Sequence, residues 1–316
     1  MIYFFAFALL LIGLRFYTYI ANYFNITDKP NGRSSHSSIT IRGGGIIFPV
    51  AAILWFVIFG FQYQWAIAGL VIIAIISFLD DLYTLSRRLR MFFHFIAVTL
   101  LFWELSLLNI SWYYWLPGYI VFIGWLNAYN FMDGINGITP LYGLVSLGTF
   151  LYLSFETGLI SSDLIKILSI SVLIFAFVNA RKQAKAFAGD VGSISMAFIL
   201  GWFMLELILA TQRIEYMLFF IVYGVDSVFT ILHRLSKGEN IFKAHRSHLY
   251  QFLANELNIP HVTVSAIYAS LQAVINLLVI VMVRTEYMDY VIFAGFLLIF
   301  SSFYLFARLR VIKMIS

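Results

Sequence analysis

The chain has 316 residues, of which 62% are hydrophobic and only 11% charged, with a formal net charge of +5; an average soluble domain carries about 25% charged residues. That balance excludes a globular protein folded in water, because too little polar surface exists to cover so much apolar side chain. The absence of cysteine excludes a disulfide framework, thiolate metal sites and a cysteine nucleophile. The modest basic excess needs no nucleic-acid partner, since basic loops facing anionic lipid headgroups account for it and also suit an anionic substrate.

Apolar runs of spanning length recur from end to end and predict helices over about 2–24, 43–60, 64–79, 90–108, 112–129, 140–156, 163–179, 192–211, 215–232, 262–284 and 289–307. The fold class is therefore an all-α, polytopic integral membrane protein with about eleven transmembrane helices, ten or eleven by this count. A membrane barrel is disfavoured, because it would show alternating segments of about ten residues. The first run is too long for a signal peptide and lacks a small-residue cleavage site, so it is expected to be a retained helix. Basic residues collect in cytoplasmic loops. An outside N-terminus and cytoplasmic C-terminus place sixteen of the twenty Lys and Arg residues inside. Arg213 and Arg284 then fall outside, Lys166 near an outer helix start and Arg15 within the first span.

In this topology all six histidines and six of the eight aspartates, Asp28, Asp80, Asp81, Asp133, Asp190 and Asp226, fall in or beside the inner loops. The chain reads as one transmembrane domain over 1–316 whose chemistry lies on loops at about 25–42, 80–90, 127–139, 180–193 and 233–261. The first loop, 31–36, leads into Gly43, Gly44 and Gly45. These glycines either bring backbone N–H groups to a phosphate or let helices pack closely. Asp80 and Asp81 close the third apolar run. Adjacent carboxylates there need a cation or a proton, and either pair with the local Arg87 and Arg88 or serve chemistry, with Arg90 directed at phosphate oxygens.

In the loop near 130, Asn127, Asn130 and Asp133 recur every three residues, so they share a face if the helix reaches that far, and their oxygens suit Mg²⁺ unless they merely cap the helix. Asp190 stands between Gly189 and Gly192 at a helix entrance, either as a cap or as a metal ligand with room for a phosphate beside it. In the last loop, His245 and His248 flank Arg246. Their spacing suggests zinc, but no cysteine and no His-Glu-x-x-His pattern supports it, and Arg246 flanked by two histidines reads better as a pyrophosphate clamp.

Taken together, Gly43-Gly44-Gly45, Asp80-Asp81 with a basic residue ten positions after Asp80, Asn130-Phe-Met-Asp133-Gly-Ile-Asn-Gly137, Gly189-Asp190-Val-Gly-Ser193 and His245-Arg-Ser-His248 resemble, in order, the motifs of the polyprenyl-phosphate N-acetylhexosamine-1-phosphate transferases. The resemblance runs from about residue 30 to residue 251. It implies transfer of a sugar 1-phosphate from a UDP-N-acetylhexosamine to undecaprenyl phosphate, with release of UMP and with Mg²⁺, or alternatively Mn²⁺, as cofactor. Carried over by position, Asn130 and Asp190 hold the metal, and Asp80 and Asp81 are the catalytic pair. Arg90, Asn127, Asp133, Gly43, Gly44, His245, Arg246 and His248 bind substrate. The family further implies a multi-pass protein of the cytoplasmic membrane with its site facing the cytoplasm, and leaves a homodimer open.

Three departures carry information. The His-Arg-Ser-His loop is similar to O-antigen and capsule initiators rather than to the peptidoglycan enzyme, which has a run of histidines. Arg90 stands where many members have Lys, and 179–185 is more basic than in relatives. The competing class is a secondary transporter of an anionic solute, which would place binding residues near the bilayer midplane between repeats; no internal repeat is evident.

Overall fold

A computed structural model describes residues 1–30, 35, 38–240 and 246–315. Its α-helices are α1 (Ile2–Tyr23), α2 (Ile47–Ile58), α3 (Gln64–Tyr83), α4 (Arg87–Glu104), α5 (Trp112–Met132), α6 (Ile138–Thr157), α7 (Ser162–Asn179), α8 (Gly189–Thr211), α9 (Ile221–Ser236), the single turn α10 (Leu249–Gln251), α11 (His261–Arg284) and α12 (Tyr290–Ile315). Apart from α10, these coincide one for one with the eleven predicted segments. Among the described residues, eight helical stretches are long and apolar enough to cross a membrane: α1, α3, α6, α7, α8, 214–236, α11 and α12. The other three have local reasons to differ. With its preceding turn, α2 makes only the short apolar helix Gly44–Ile58; α4 carries Arg87, Arg88, Arg90 and Glu104; α5 contains Pro117, Asn127 and Asn130.

The differences in boundary follow the polar residues. Hydropathy ends the third segment at 79, yet α3 continues through Asp80 and Asp81 to Tyr83, because a helix satisfies its own backbone hydrogen bonds whatever its side chains. In the same way α8 begins at Gly189 rather than 192. It is the centre of the bundle: every residue from Val191 to Met204 is buried, the pattern of a helix enclosed on all sides. By contrast α12 buries only Tyr304, Arg308 and Val311 and lies at the periphery.

A small antiparallel pair, β1 (Thr27–Asp28) with β2 (Thr40–Ile41), adds to the all-α plan. Ile41 also bridges to Ala186, and the Phe187 N–H donates to the Ile41 carbonyl at 2.8 Å. The ladder continues as Gly44 N donates to Phe187 O at 2.8 Å and Gly45 N to Ala188 O at 3.0 Å. These bonds zip the segment before α2 onto the entrance of α8. Tight contact between Gly45 and Gly192 makes it possible: a Cβ on Gly192 would stand 2.7 Å from the Gly45 Cα, closer than any side chain tolerates.

Candidate active site

The entrance of α8 meets the end of α3. Gly189 adopts φ +71°, and a Cβ there would lie 2.6 Å from Asp81 Oδ2 and 2.8 Å from the Gly43 backbone. Only glycine lets the chain turn at that point. The turn aims the first amides of α8 at Asp81, whose carboxylate accepts from Asp190 N at 2.9 Å and Val191 N at 3.0 Å. A carboxylate at a helix N-terminus satisfies donors the helix itself cannot, and each charge-assisted bond contributes roughly 1.5–3 kcal/mol. The Asp81 side chain is 0% exposed, whereas that of Asp190 is 20% exposed. Of the two, Asp190 is the carboxylate open to an incoming ligand.

Two guanidiniums neutralise the cluster. Arg42 Nε lies 2.6 Å from Asp81 Oδ1, and its Nη2 lies 3.4 Å from Asp190 Oδ1. Arg90 Nη1 lies 2.7 Å from Asp80 Oδ2 and 3.5 Å from Asp190 Oδ2. Asp80 also accepts from Leu85 N at 2.6 Å, at the exit of α3. Burial alone would lower the Arg42 pKa, but the carboxylates of Asp81, Asp190 and Asp28 more than offset it and hold the group firmly charged. Three carboxylates thus face two guanidiniums.

Asn130, near the end of α5, joins from a third helix. Its Nδ2 donates to Ser193 Oγ at 2.8 Å and to Asp190 Oδ1 at 3.3 Å. That leaves the amide oxygen as its ligating atom. Asp190 and Asn130, sixty residues apart in the chain, therefore stand together, and their hard oxygens fit a divalent cation of the Mg²⁺ class. Among the described residues no group of three His, Cys, Asp or Glu side chains is arranged to hold a metal, so any ion here would draw on the amide oxygen and on its substrate.

The other candidates take different positions. Asp133 caps α5 and accepts from the Thr139 hydroxyl; burial lifts its pKa to about 6, against the opposing Thr139 bond. Asn127 donates to the Ile123 carbonyl one turn back on its own helix, at 2.8 Å. The three-residue spacing of Asn127, Asn130 and Asp133 consequently does not make one ligand face, because α5 stops at Met132. Gly44 spends its N–H on Phe187 and Gly43 abuts Gly189, which favours close packing over phosphate binding for the glycine run. His248 is 1% exposed, with Nδ1 3.0 Å from Asp226 Oδ1. Arg246 is half-buried. His245 and residues 31–34 and 36 of the first loop lie outside the described residues.

Arg42 is the site residue that sequence reasoning missed. It sits directly before the glycine run, but nothing in the chain indicates that this segment is zipped onto α8. The neighbouring Ser193 was visible only as the end of the Gly-Asp-Val-Gly-Ser motif.

Residues 63–208 match the family model described as glycosyl transferase family 4. The chain is 26% identical, over 72% of its length and 69% of the relative's, to the Bacillus subtilis (strain 168) protein named "Probable undecaprenyl-phosphate N-acetylglucosaminyl 1-phosphate transferase". It has the same identity and coverage against the Yersinia pestis undecaprenyl-phosphate alpha-N-acetylglucosaminyl 1-phosphate transferase. With the phospho-N-acetylmuramoyl-pentapeptide-transferase of Thermotoga maritima it shares 29% identity over 60% of this chain and 67% of that one. The matched region holds α3, α5 and most of α8, the three helices whose ends build the carboxylate cluster, and these similarities to glycosyl transferase family 4 and to its undecaprenyl-phosphate sugar-1-phosphate transferases support a membrane-embedded phosphotransferase.

Proposed function

We propose that this protein transfers an N-acetylhexosamine 1-phosphate from a UDP-sugar to undecaprenyl phosphate, at the cytoplasmic face of the cell's inner membrane, and so initiates a cell-envelope glycan such as an O-antigen or capsule. The observation that carries the reading is the meeting of Asp80, Asp81 and Asp190 with Arg42, Arg90 and Asn130 at one end of the bundle. Phosphoryl transfer asks a protein mainly for positioning and charge neutralisation, and this cluster of carboxylates, guanidiniums and an amide is suited to both.

In this reading an oxygen of the lipid phosphate attacks the sugar-bearing phosphorus of the donor. The bond from that phosphorus to the bridging oxygen breaks, and UMP leaves with the electron pair. Asn130 and Asp190 would hold Mg²⁺, which would supply charge neutralisation to the diphosphate. Arg42 and Arg90 provide cationic charge to the phosphate oxygens, joined by Arg246 from the last loop. Asp81 fixes the entrance of α8 so that Asp190 points outward, and Asp80 sets Arg90. Direct attack needs little help from a base, because a lipid phosphate is already largely ionised near neutral pH.

The test uses purified protein in detergent with undecaprenyl phosphate, Mg²⁺ and a panel of UDP-N-acetylhexosamines, followed by UMP release. Release from one donor that is lost in Asp190→Asn and on chelation supports the reading and names the sugar. A folded wild-type protein that releases no UMP from any donor overturns it, as does a phosphorylated enzyme trapped without acceptor for the direct route.

A further inference from the structure

Asp226 lies on α9, outside the cluster just described, and is fully buried. A carboxylate in that position is costly unless donors surround it, and here five do. Its Oδ1 accepts from His248 Nδ1 at 3.0 Å, Leu249 N at 3.3 Å, Tyr304 OH at 3.1 Å and Thr230 Oγ1 at 3.3 Å, and its Oδ2 from Tyr268 OH at 2.7 Å. The countercharge arrives through hydroxyls: Arg308 Nη1 donates to Tyr304 OH at 2.7 Å and Thr230 Oγ1 at 2.8 Å. One carboxylate thereby ties α9, α11 and α12 to the start of α10.

A carboxylate serving only as glue would bond helix to helix. Two of these five donors instead come from the turn that follows Arg246, one a side chain and one a backbone amide. The same turn reaches the active site on its other side, where Tyr250 OH donates to Phe131 O at 2.9 Å, the residue next to Asn130. The His248 and Tyr250 rings stack at 5.7 Å, so the turn is held as one unit between Asp226 and the end of α5.

We propose that Asp226 is a positioning residue for the transfer reaction: it pins the turn at 248–251 and so fixes Arg246 and Asn130 relative to the carboxylate cluster. The proposal deepens the functional reading and rests on it for the kinetic test, while the exchange test below is independent of activity.

Asp226→Asn keeps the shape but removes the charge that draws these donors together. Full-length protein in detergent is expected to show a donor KM raised about tenfold with kcat within about threefold of wild type, the signature of lost binding rather than lost chemistry. Hydrogen exchange across 246–256 quickens about tenfold while α8 stays protected. Should Asp226→Asn fail to fold, Tyr268→Phe removes a single donor, and the same two readouts move in the same direction by about threefold. A folded variant with unchanged donor KM and unchanged exchange at 246–256 overturns the proposal. So does exchange that quickens equally in every helix, which is the behaviour of glue. Absence of UMP release in the wild type would count against the reaction alone, and faster exchange confined to 246–256 would still sustain the positioning.

Discussion

Arg42 Nε stands 2.6 Å from Asp81 Oδ1 across thirty-nine positions of sequence, while Nη2 of the same guanidinium reaches Asp190. One side chain thus spans the carboxylate that caps the entrance of α8 and the carboxylate carried in its first turn. Its planar fork is what allows this, and an ammonium would serve only one partner at a time. Arg42→Ala is expected to lower the rate of UMP release by about a hundredfold or more, the scale for removing a preorganised charge partner. Arg42→Lys should recover part of that loss. A wild-type rate in Arg42→Ala would show that the contact is incidental.

The pairing of Asn130 with Asp190 predicts a dependence on divalent metal. Chelation should abolish turnover and added Mg²⁺ restore it, with Mn²⁺ as a substitute. In Asn130→Ala the Mg²⁺ concentration for half-maximal activity should rise roughly tenfold or more, as is usual when a metal's coordination is weakened. A titration curve superimposable on wild type would remove Asn130 from the metal site.

Gly192 and Gly45 touch backbone to backbone. A methyl group at position 192 meets the Gly45 Cα at 2.7 Å and the Ala188 Cβ at 2.9 Å, and neither neighbour is a flexible chain end. Gly192→Ala should therefore cost about 1–3 kcal/mol or more through forced backbone shift. Thermal unfolding in detergent would read this as a lowered midpoint, and activity should fall with it as Asp190 moves.

Arg234 Nε bonds Glu239 Oε2 at 3.0 Å, and this bond, ahead of the weaker attraction to nearby cations, holds the Glu239 carboxyl below its usual range. A depressed acid contributes stability above its unfolded pKa, near 4.3, and loses it as pH falls through the folded value. Glu239→Gln should lower the unfolding midpoint slightly at pH 7, and the gap should close as the pH drops below about 4. A gap that persists in acid would assign the effect to packing.

Much of the architecture was legible because hydrocarbon imposes a simple rule. A segment crosses only if it is long, apolar and satisfies its own backbone, so the eleven long helical segments could be located from the run of hydropathy along the chain, and among the described residues eight helical stretches are long and apolar enough to cross. Hydropathy ends the third segment too early, before Asp80 and Asp81, and starts the eighth too late, after Asp190, since it registers a side chain's polarity while the helix depends on its backbone. Asp80, Asp81, Arg90, Asn130 and Asp190 were likewise readable, because charged or amide groups at the ends of apolar runs are costly and therefore conspicuous.

The remainder is a matter of contacts between distant segments. Nothing local distinguishes Arg42, which the structure brings to the carboxylates, from other basic loop residues; its role depends on a ladder between 41–45 and 186–188. Asn127, by contrast, shares the spacing of Asn130 yet turns back onto its own helix. Asp226 and His248 looked like a span-end aspartate and a ligand in the substrate loop, and they prove to be bonded to each other. Sequence by itself determined which residues are too polar for the bilayer and hence where along each helix chemistry can sit. Only the tertiary structure decided which of those groups meet, because a carboxylate buried in an apolar bundle must find its donors wherever the packing of other helices delivers them.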